Sequence, residues 1–147
     1  LSAALPEESI RVRAIALDWM HATELAVKLL VAAGKVSPEY GAECLSVLEE
    51  LGPYQVIAPG IALIHSKPSP SVFETGISIL TLSEGVEFGH QSNDPVRILI
   101  GLAALDHDSH IEIMGELARF LQDEANVNFL LNVASAEEIS DYLQSNL

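Results

Sequence analysis

Gln55-Val-Ile-Ala-Pro-Gly-Ile-Ala-Leu-Ile-His65-Ser-Lys-Pro68 is an almost unbroken apolar stretch that halts once, at Pro59-Gly60, and ends on an imidazole. Short apolar, β-branched runs bounded by turn residues read as strands, so residues 55–58 and 61–65 form two strands around the Pro59-Gly60 turn. A strand that closes on His65 sets a nucleophilic group, one that titrates near neutral pH, at the edge of a sheet. The pattern leaves two readings of this histidine open. It is either a reactive group or a core histidine satisfied by a backbone carbonyl.

Working outward, residues 10–16 read as a first short strand. Asp18 introduces a helix to about residue 33, with Trp19, Ala22, Leu25, Ala26, Leu29 and Leu30 on one face and Gly34 as its stop. Ser37-Pro38 opens the next helix, with serine as N-cap and proline in the tolerated first position. That helix runs to about Leu51, before Gly52-Pro53, and buries Cys44 as a small core hydrophobe.

Downstream, residues 76–82 (GISILTL) read as a strand bounded by Ser83-Glu84-Gly85. Asp94-Pro95 precedes residues 96–104 (VRILIGLAA), whose apolar side chains on both faces mark a central strand. Ser109-His110-Ile111-Glu112 matches a capping box and predicts a helix from Ser109 to about Asp123. A shorter helix follows near residues 127–133, and a second capping box, Ser135-Ala-Glu-Glu138, opens a terminal helix to about Gln144. Helices, then strands, then helices predict an α/β fold: a single mixed β-sheet flanked by helices on both faces, as one domain over residues 1–147.

Composition narrows the function. The chain is 49% hydrophobic with a mean hydropathy of +0.30, which excludes disorder. Its longest apolar run, residues 56–64, contains Pro59 and Gly60 and falls far short of the roughly 20 residues a spanning helix needs. Residues 1–10 lack a basic head and carry Glu7 and Glu8, so no signal peptide is expected, and Leu1 in place of methionine points to trimmed or tagged numbering or an unusual start. A single cysteine excludes an internal disulfide and fits a reducing, cytoplasmic setting. A formal charge of −14 with seven Lys plus Arg argues against nucleic acid, which needs basic surface, and leaves open either a basic protein partner or simple solubility.

Of the five histidines, His21 falls within the first helix and His90 in the turn-like segment 89–94, and neither is assigned chemistry. Asp106-His107-Asp108-Ser109-His110 invites a metal reading, but it lacks the HExxH spacing and a cysteine pair, so no metal is assigned. The capping box gives His110 another account, placing it at the first position of a helix beside free amides that favour phosphate. It also follows the carboxyl end of a strand, as His65 ends one, which is where open α/β sheets gather ligands. Two imidazoles meeting there suit phosphohistidine chemistry, one attacking phosphorus and the other stabilising charge. The chain has no GxxxxGK[ST] loop, so the donor need not be a nucleotide and no cofactor is assigned.

The run Gly52-Pro-Tyr-Gln-Val-Ile-Ala-Pro-Gly-Ile-Ala-Leu-Ile-His65 resembles the active-site segment of the enzyme IIA components of the bacterial sugar phosphotransferase system, mannitol/fructose superfamily. Val86-Glu-Phe-Gly-His-Gln-Ser-Asn-Asp-Pro-Val-Arg-Ile-Leu-Ile-Gly-Leu-Ala-Ala is similar to that family's second block, and Asp106 to His110 stands in the place of its second active-site histidine. The Gly52-Pro53-Tyr54 lead and the wording of residues 88–95 resemble the L-ascorbate branch. The resemblance implies an α/β sandwich and a phosphorelay. His65 would accept a phosphoryl group from the histidine-containing phosphocarrier protein and pass it to a cysteine of a IIB component. His110 would stabilise the phosphoryl group, and a membrane IIC component would complete uptake. Cys44 takes no part in this scheme. The family commonly has proline before the active histidine and arginine two positions after it, where this chain has Ile64 and Lys67. Lys67 keeps a charge without arginine's fork. The mannitol branch also has an arginine from the second helix, to which Glu49 and Glu50 offer no equivalent. The alternative is a regulatory IIA-like module whose phosphorylation controls a partner protein.

Overall fold

The computed structural model describes residues 5–146, so the expectation drawn from residues 1–10 lies partly outside them. Five strands form one open mixed sheet: β1 (Ile10–Ala14), β2 (Val56–Ala58), β3 (Ile61–His65), β4 (Gly76–Val86) and β5 (Val96–Ala103), in the order β1-β4-β5-β3-β2. β1 runs parallel to β4 and β3 parallel to β5, while β4/β5 and β2/β3 are antiparallel. The expected central strand is central. Five helices cover the sheet: α1 (Trp19–Ala32), α2 (Glu39–Leu51), α3 (His107–Gln122), α4 (Glu124–Asn132) and α5 (Ala136–Asn146).

The alternation along the strands builds two cores. Ala62 and Ile64 of β3, Leu80 and Leu82 of β4, and Leu99 and Ala103 of β5 pack with Ala22, Ala26 and Leu30 of α1 and Tyr40, Cys44 and Leu48 of α2. Ile61, Leu63, Ile77, Ile79, Ile98, Ile100 and Leu102 turn to the other face, against Ile113, Leu117 and Phe120 of α3, Leu130 of α4, and Ile139 and Leu143 of α5. Helices therefore lie on both faces, as the sequence predicts. Cys44 is fully buried in the first core, and burial pushes its thiol up to about 12, so it is an inert hydrophobe.

Several boundaries differ from the sequence expectations, each for a local reason. β1 ends at Ala14 and is irregular before it: Arg13 adopts φ +54°, its N–H donates to Thr81 Oγ1 at 2.8 Å, and the register shifts before pairing resumes at Ala14. β4 continues to Val86 through Ser83-Glu84-Gly85, which was expected to bound it. Gly85 serves there as a site of close approach, since a Cβ would stand 2.7 Å from Pro95 Cβ. α2 begins at Glu39 with Pro38 at its cap and no side-chain cap hydrogen bond, and it is the carbonyl of Ser37 that accepts from Tyr40 N, at 3.1 Å.

α3 starts two residues before the expected Ser109. Its N-cap is Asp106, whose Oδ1 accepts from Ser109 N at 2.8 Å. α4 begins at Glu124, capped by Asp123, which accepts from Ala125 N. α5 opens as expected after Ser135, whose hydroxyl accepts from Glu138 N at 3.2 Å. Among the described residues no helix is long and apolar enough to cross a membrane.

Candidate functional site

β3 and β5 are parallel and in register to their carboxyl ends, with His65 opposite Leu102. The chain then passes through Ala104 and Leu105, held by a bond from Leu105 N to Thr75 Oγ1, into α3. This short connection carries the first turn of α3 to the strand end where β3 terminates. His65 and His110 are brought together, with ring centroids 5.4 Å apart and planes inclined by 55°. Both line an open cleft of about 290 Å³, together with Val47 and Leu51 of α2, Tyr54, Ser66 to Pro68, and His107.

His110 is the fourth residue of α3, not the first. Its N–H is already bonded to Asp106 O at 3.1 Å, and the Asp106 carboxylate occupies the helix end. Bonding from Ser109 holds the Asp106 carboxyl below its usual range, so an anion already sits at that terminus. The imidazole of His110, rather than the free helix amides, faces the candidate site. This corrects the expectation built on the Ser109 capping box.

His65 is half-buried. Its Nδ1 lies 3.0 Å from the carbonyl oxygen of Leu63. A carbonyl only accepts, so Nδ1 carries the proton and the neutral ring keeps its lone pair on Nε2. Burial lowers the pKa of the ring below 6.5, the Leu63 bond pulls it back up, and His110 lowers it further. The ring is therefore neutral at pH 7 with a defined tautomer. Of the two readings left open by the sequence, the structure shows the backbone carbonyl of the second, bonded at Nδ1, and that bond leaves the lone pair of Nε2 unused.

The backbone around His65 is held by two buried side chains that the sequence did not single out. Gln55 donates from Nε2 to His65 O at 2.9 Å and accepts from His65 N at 3.3 Å. The Tyr40 hydroxyl accepts from Ser66 N at 3.0 Å and donates to Leu102 O at 2.7 Å. Tyr54 sets its ring edge-on to His65, with centroids 6.5 Å apart. The available signals were a glutamine just ahead of an apolar strand and a tyrosine at a core position of α2. His107, weighed only as a metal ligand, proves to line the cleft.

Of the other named residues, Lys67 lines the cleft, and it is exposed and unpaired among the described residues. Ile64 is fully buried, and Glu49 and Glu50 are exposed. His21 accepts from Leu17 N at the start of α1, and His90 Nδ1 accepts from Ser92 N and Asn93 N within its own loop, so both rings organise backbone. Among the described residues no three His, Cys, Asp or Glu side chains come together in a way that would hold a metal ion.

Comparison with known proteins supplies the wider context. The sequence matches the family described as phosphoenolpyruvate-dependent sugar phosphotransferase system, EIIA 2, over residues 3–146. It is 43% identical over 136 residues to the ascorbate-specific PTS system EIIA component of Salmonella typhimurium, covering 92% of this chain and 88% of the relative. The solution structure of the mannitol-specific cryptic phosphotransferase enzyme IIA from Escherichia coli superposes with a TM-score of 0.85 at 34% identity, covering 95% of each chain. A structure of the complex of enzyme IIAMTL and phosphorylated enzyme IIBMTL from Escherichia coli gives 0.81 at 30% identity, over 94% of this chain and 95% of the other. The fold, the match over nearly the whole length and the degree of identity agree: the chain belongs to the EIIA 2 family of the phosphoenolpyruvate-dependent sugar phosphotransferase system.

Proposed function

We propose that His65 is the phosphoryl acceptor of this EIIA domain and that His110 stabilises the transferred group. One observation carries the assignment. The Nδ1–Leu63 bond fixes a neutral ring whose free nitrogen, Nε2, belongs to a side chain lining a cleft shared with a second imidazole. Nε2 attacks phosphorus, and an N–P bond forms as the bond from phosphorus to the donor nitrogen breaks. The electron pair returns to the donor's imidazole. In the second step a thiolate attacks phosphorus, an S–P bond forms, and the pair of the breaking N–P bond returns to Nε2. The His110 imidazole offers a ring N–H, and Lys67 a positive charge, to the equatorial oxygens in both steps. No cofactor takes part.

The donor is the histidine-containing phosphocarrier protein and the acceptor a cysteine of a IIB component, in keeping with the IIB complex of the similar enzyme IIAMTL. The cleft is rimmed by exposed Leu51 and Tyr54, apolar surface of the kind a docking protein covers. A membrane IIC component completes uptake. The transported sugar is L-ascorbate, following the name of the relative at 43% identity, and the protein works in the cytoplasm as one domain. Incubation with the general phosphorelay enzymes and labelled phosphoenolpyruvate tests the reading. Wild type is expected to take label and His65→Ala to take none. An unlabelled wild type, or full label in His65→Ala, overturns it.

A further inference from the structure

β2 and β3 pair only at Val56↔Ala62 and Ala58↔Ile61, whereas β5 accompanies β3 on its other side as far as His65. Beyond Ala62, then, β3 has an edge with no strand beside it among the described residues, at the residues that carry the reactive ring. Unpaired backbone groups at a half-buried edge are costly and leave the peptide free to rotate. Two side chains complete this edge. The amide of Gln55, itself 1% exposed, takes both the N–H and the C=O of His65, and the ring of His65 takes the carbonyl of Leu63.

A primary amide carries the same donor and acceptor as a peptide group, so Gln55 acts as one residue of a missing strand. This is possible because Gln55 lies in a tight turn just before β2, whereas the sequence had placed it within the strand. Its Nε2 also lies 3.4 Å from the hydroxyl of Tyr54, the aromatic side chain at the rim of the cleft. The amide is neutral. A carboxylate in the same place would draw a proton onto the neighbouring imidazole and close its nucleophilic nitrogen.

We propose that Gln55 is a positioning residue for phosphoryl transfer, its amide standing in for the absent strand so that His65 keeps Nδ1 on Leu63 and Nε2 toward the phosphoryl group. The proposal rests on the reading of His65 as acceptor. The tautomer of the His65 ring depends on the orientation of the backbone that Gln55 holds. Loosening that backbone therefore lowers the rate of the chemical step more than it weakens docking, because Gln55 is 1% exposed and offers a carrier no surface of its own.

Two variants and two readouts test this. Single-turnover transfer from the phosphorylated phosphocarrier is measured over a range of carrier concentrations, and the His65 ring nitrogens are followed by 15N NMR in the unphosphorylated protein. Gln55→Met, of similar volume and unable to bond, is expected to cut the saturating rate by roughly tenfold to a hundredfold, the scale of a misplacement near 1 Å. Its half-saturating carrier concentration stays within about twofold of wild type, since binding and chemistry separate in this way. The ring signals move from one tautomer to a mixture.

Gln55→Glu reproduces the donor and acceptor only when its carboxyl is protonated, which burial favours. Its rate relative to wild type at the same pH is expected to fall as pH rises. A Gln55→Met protein with wild-type rate and an unchanged tautomer overturns the proposal even if it is less stable, and so does a flat pH ratio for Gln55→Glu. If Gln55→Met does not fold, the pH ratio decides. A wild type that accepts no phosphoryl group overturns the reading of His65, whereas an unchanged ring tautomer in a folded Gln55→Met overturns the role of Gln55 alone.

Discussion

Replacing Tyr40 by phenylalanine removes one oxygen atom and leaves the ring in place, so its cost isolates what that hydroxyl does for the site. Tyr40 is fully buried, and the oxygen links three elements: α2, the residue after His65, and the end of β5. Loss of the bond to the Leu102 carbonyl costs about 0.5–1.5 kcal/mol, and leaving the Ser66 N–H without its acceptor costs about 1–3 kcal/mol. The sum is roughly 1.5–4.5 kcal/mol, which for a chain of this size lowers the melting temperature by roughly 5–15 °C. Burial, with Cys44 beside it, pushes the ionisation of the phenol far up, so the hydroxyl remains a donor and the loss is the same from pH 6 to pH 9. Urea unfolding of both proteins measures it, with a shifted midpoint at constant slope. A loss below about 0.5 kcal/mol, the lower end expected for a single hydrogen bond, refutes the reasoning.

Three further predictions follow from other parts of the structure. Gly101→Ala puts a Cβ onto Ser78 Oγ, whose hydroxyl donates to Ala26 O at the α1–sheet contact, and is expected to destabilise by about 1–3 kcal/mol. Combined with Ser78→Ala it should cost less than the sum of the two single changes, and strict additivity contradicts the contact. The lowered pKa of His65 fixes the sign of a pH effect. Between the folded value and 6.5 the unfolded chain binds more protons, so this contribution is complete above 6.5 and lost as pH falls through the folded value. Unfolding free energy should drop more for wild type than for His65→Gln between pH 7 and pH 5, and parallel curves contradict the burial argument. His110→Ala is expected to slow phosphoryl transfer by roughly tenfold or more while His65 remains the acceptor, and an unchanged rate in both directions removes its assigned role.

The sheet was legible because its signals are local. Residues 96–103 are apolar at nearly every position, and only a strand covered on both faces accommodates that. That His65 ends one strand and His110 follows the end of another was read from the same pattern, whereas the pairing of those two strands was not, because strand order has no local signal. The cap of α3 was misread because two overlapping signals compete. Ser109-x-x-Glu112 is the fuller motif, yet Asp106 offers a charged acceptor three residues earlier, and the bond from Leu105 N to Thr75 delivers the chain in position to use it.

Gly85 read as a turn because glycine usually marks one. Here it marks a crossing over Pro95, which no local pattern encodes. Gln55 and Tyr40 were invisible for a related reason. Their partners, at His65, Ser66 and Leu102, lie 10 to 62 residues away in sequence, and an apolar surrounding makes either side chain look like ordinary core.

The central claim is that the Leu63 carbonyl leaves Nε2 of His65 as the phosphoryl-accepting atom. The most direct measurement phosphorylates the 15N-histidine-labelled protein through the phosphorelay and locates phosphorus by its coupling to the ring nitrogens. Coupling to Nε2 of His65, absent in His65→Ala, is the predicted result. Phosphorus on Nδ1, or on any other residue, contradicts it.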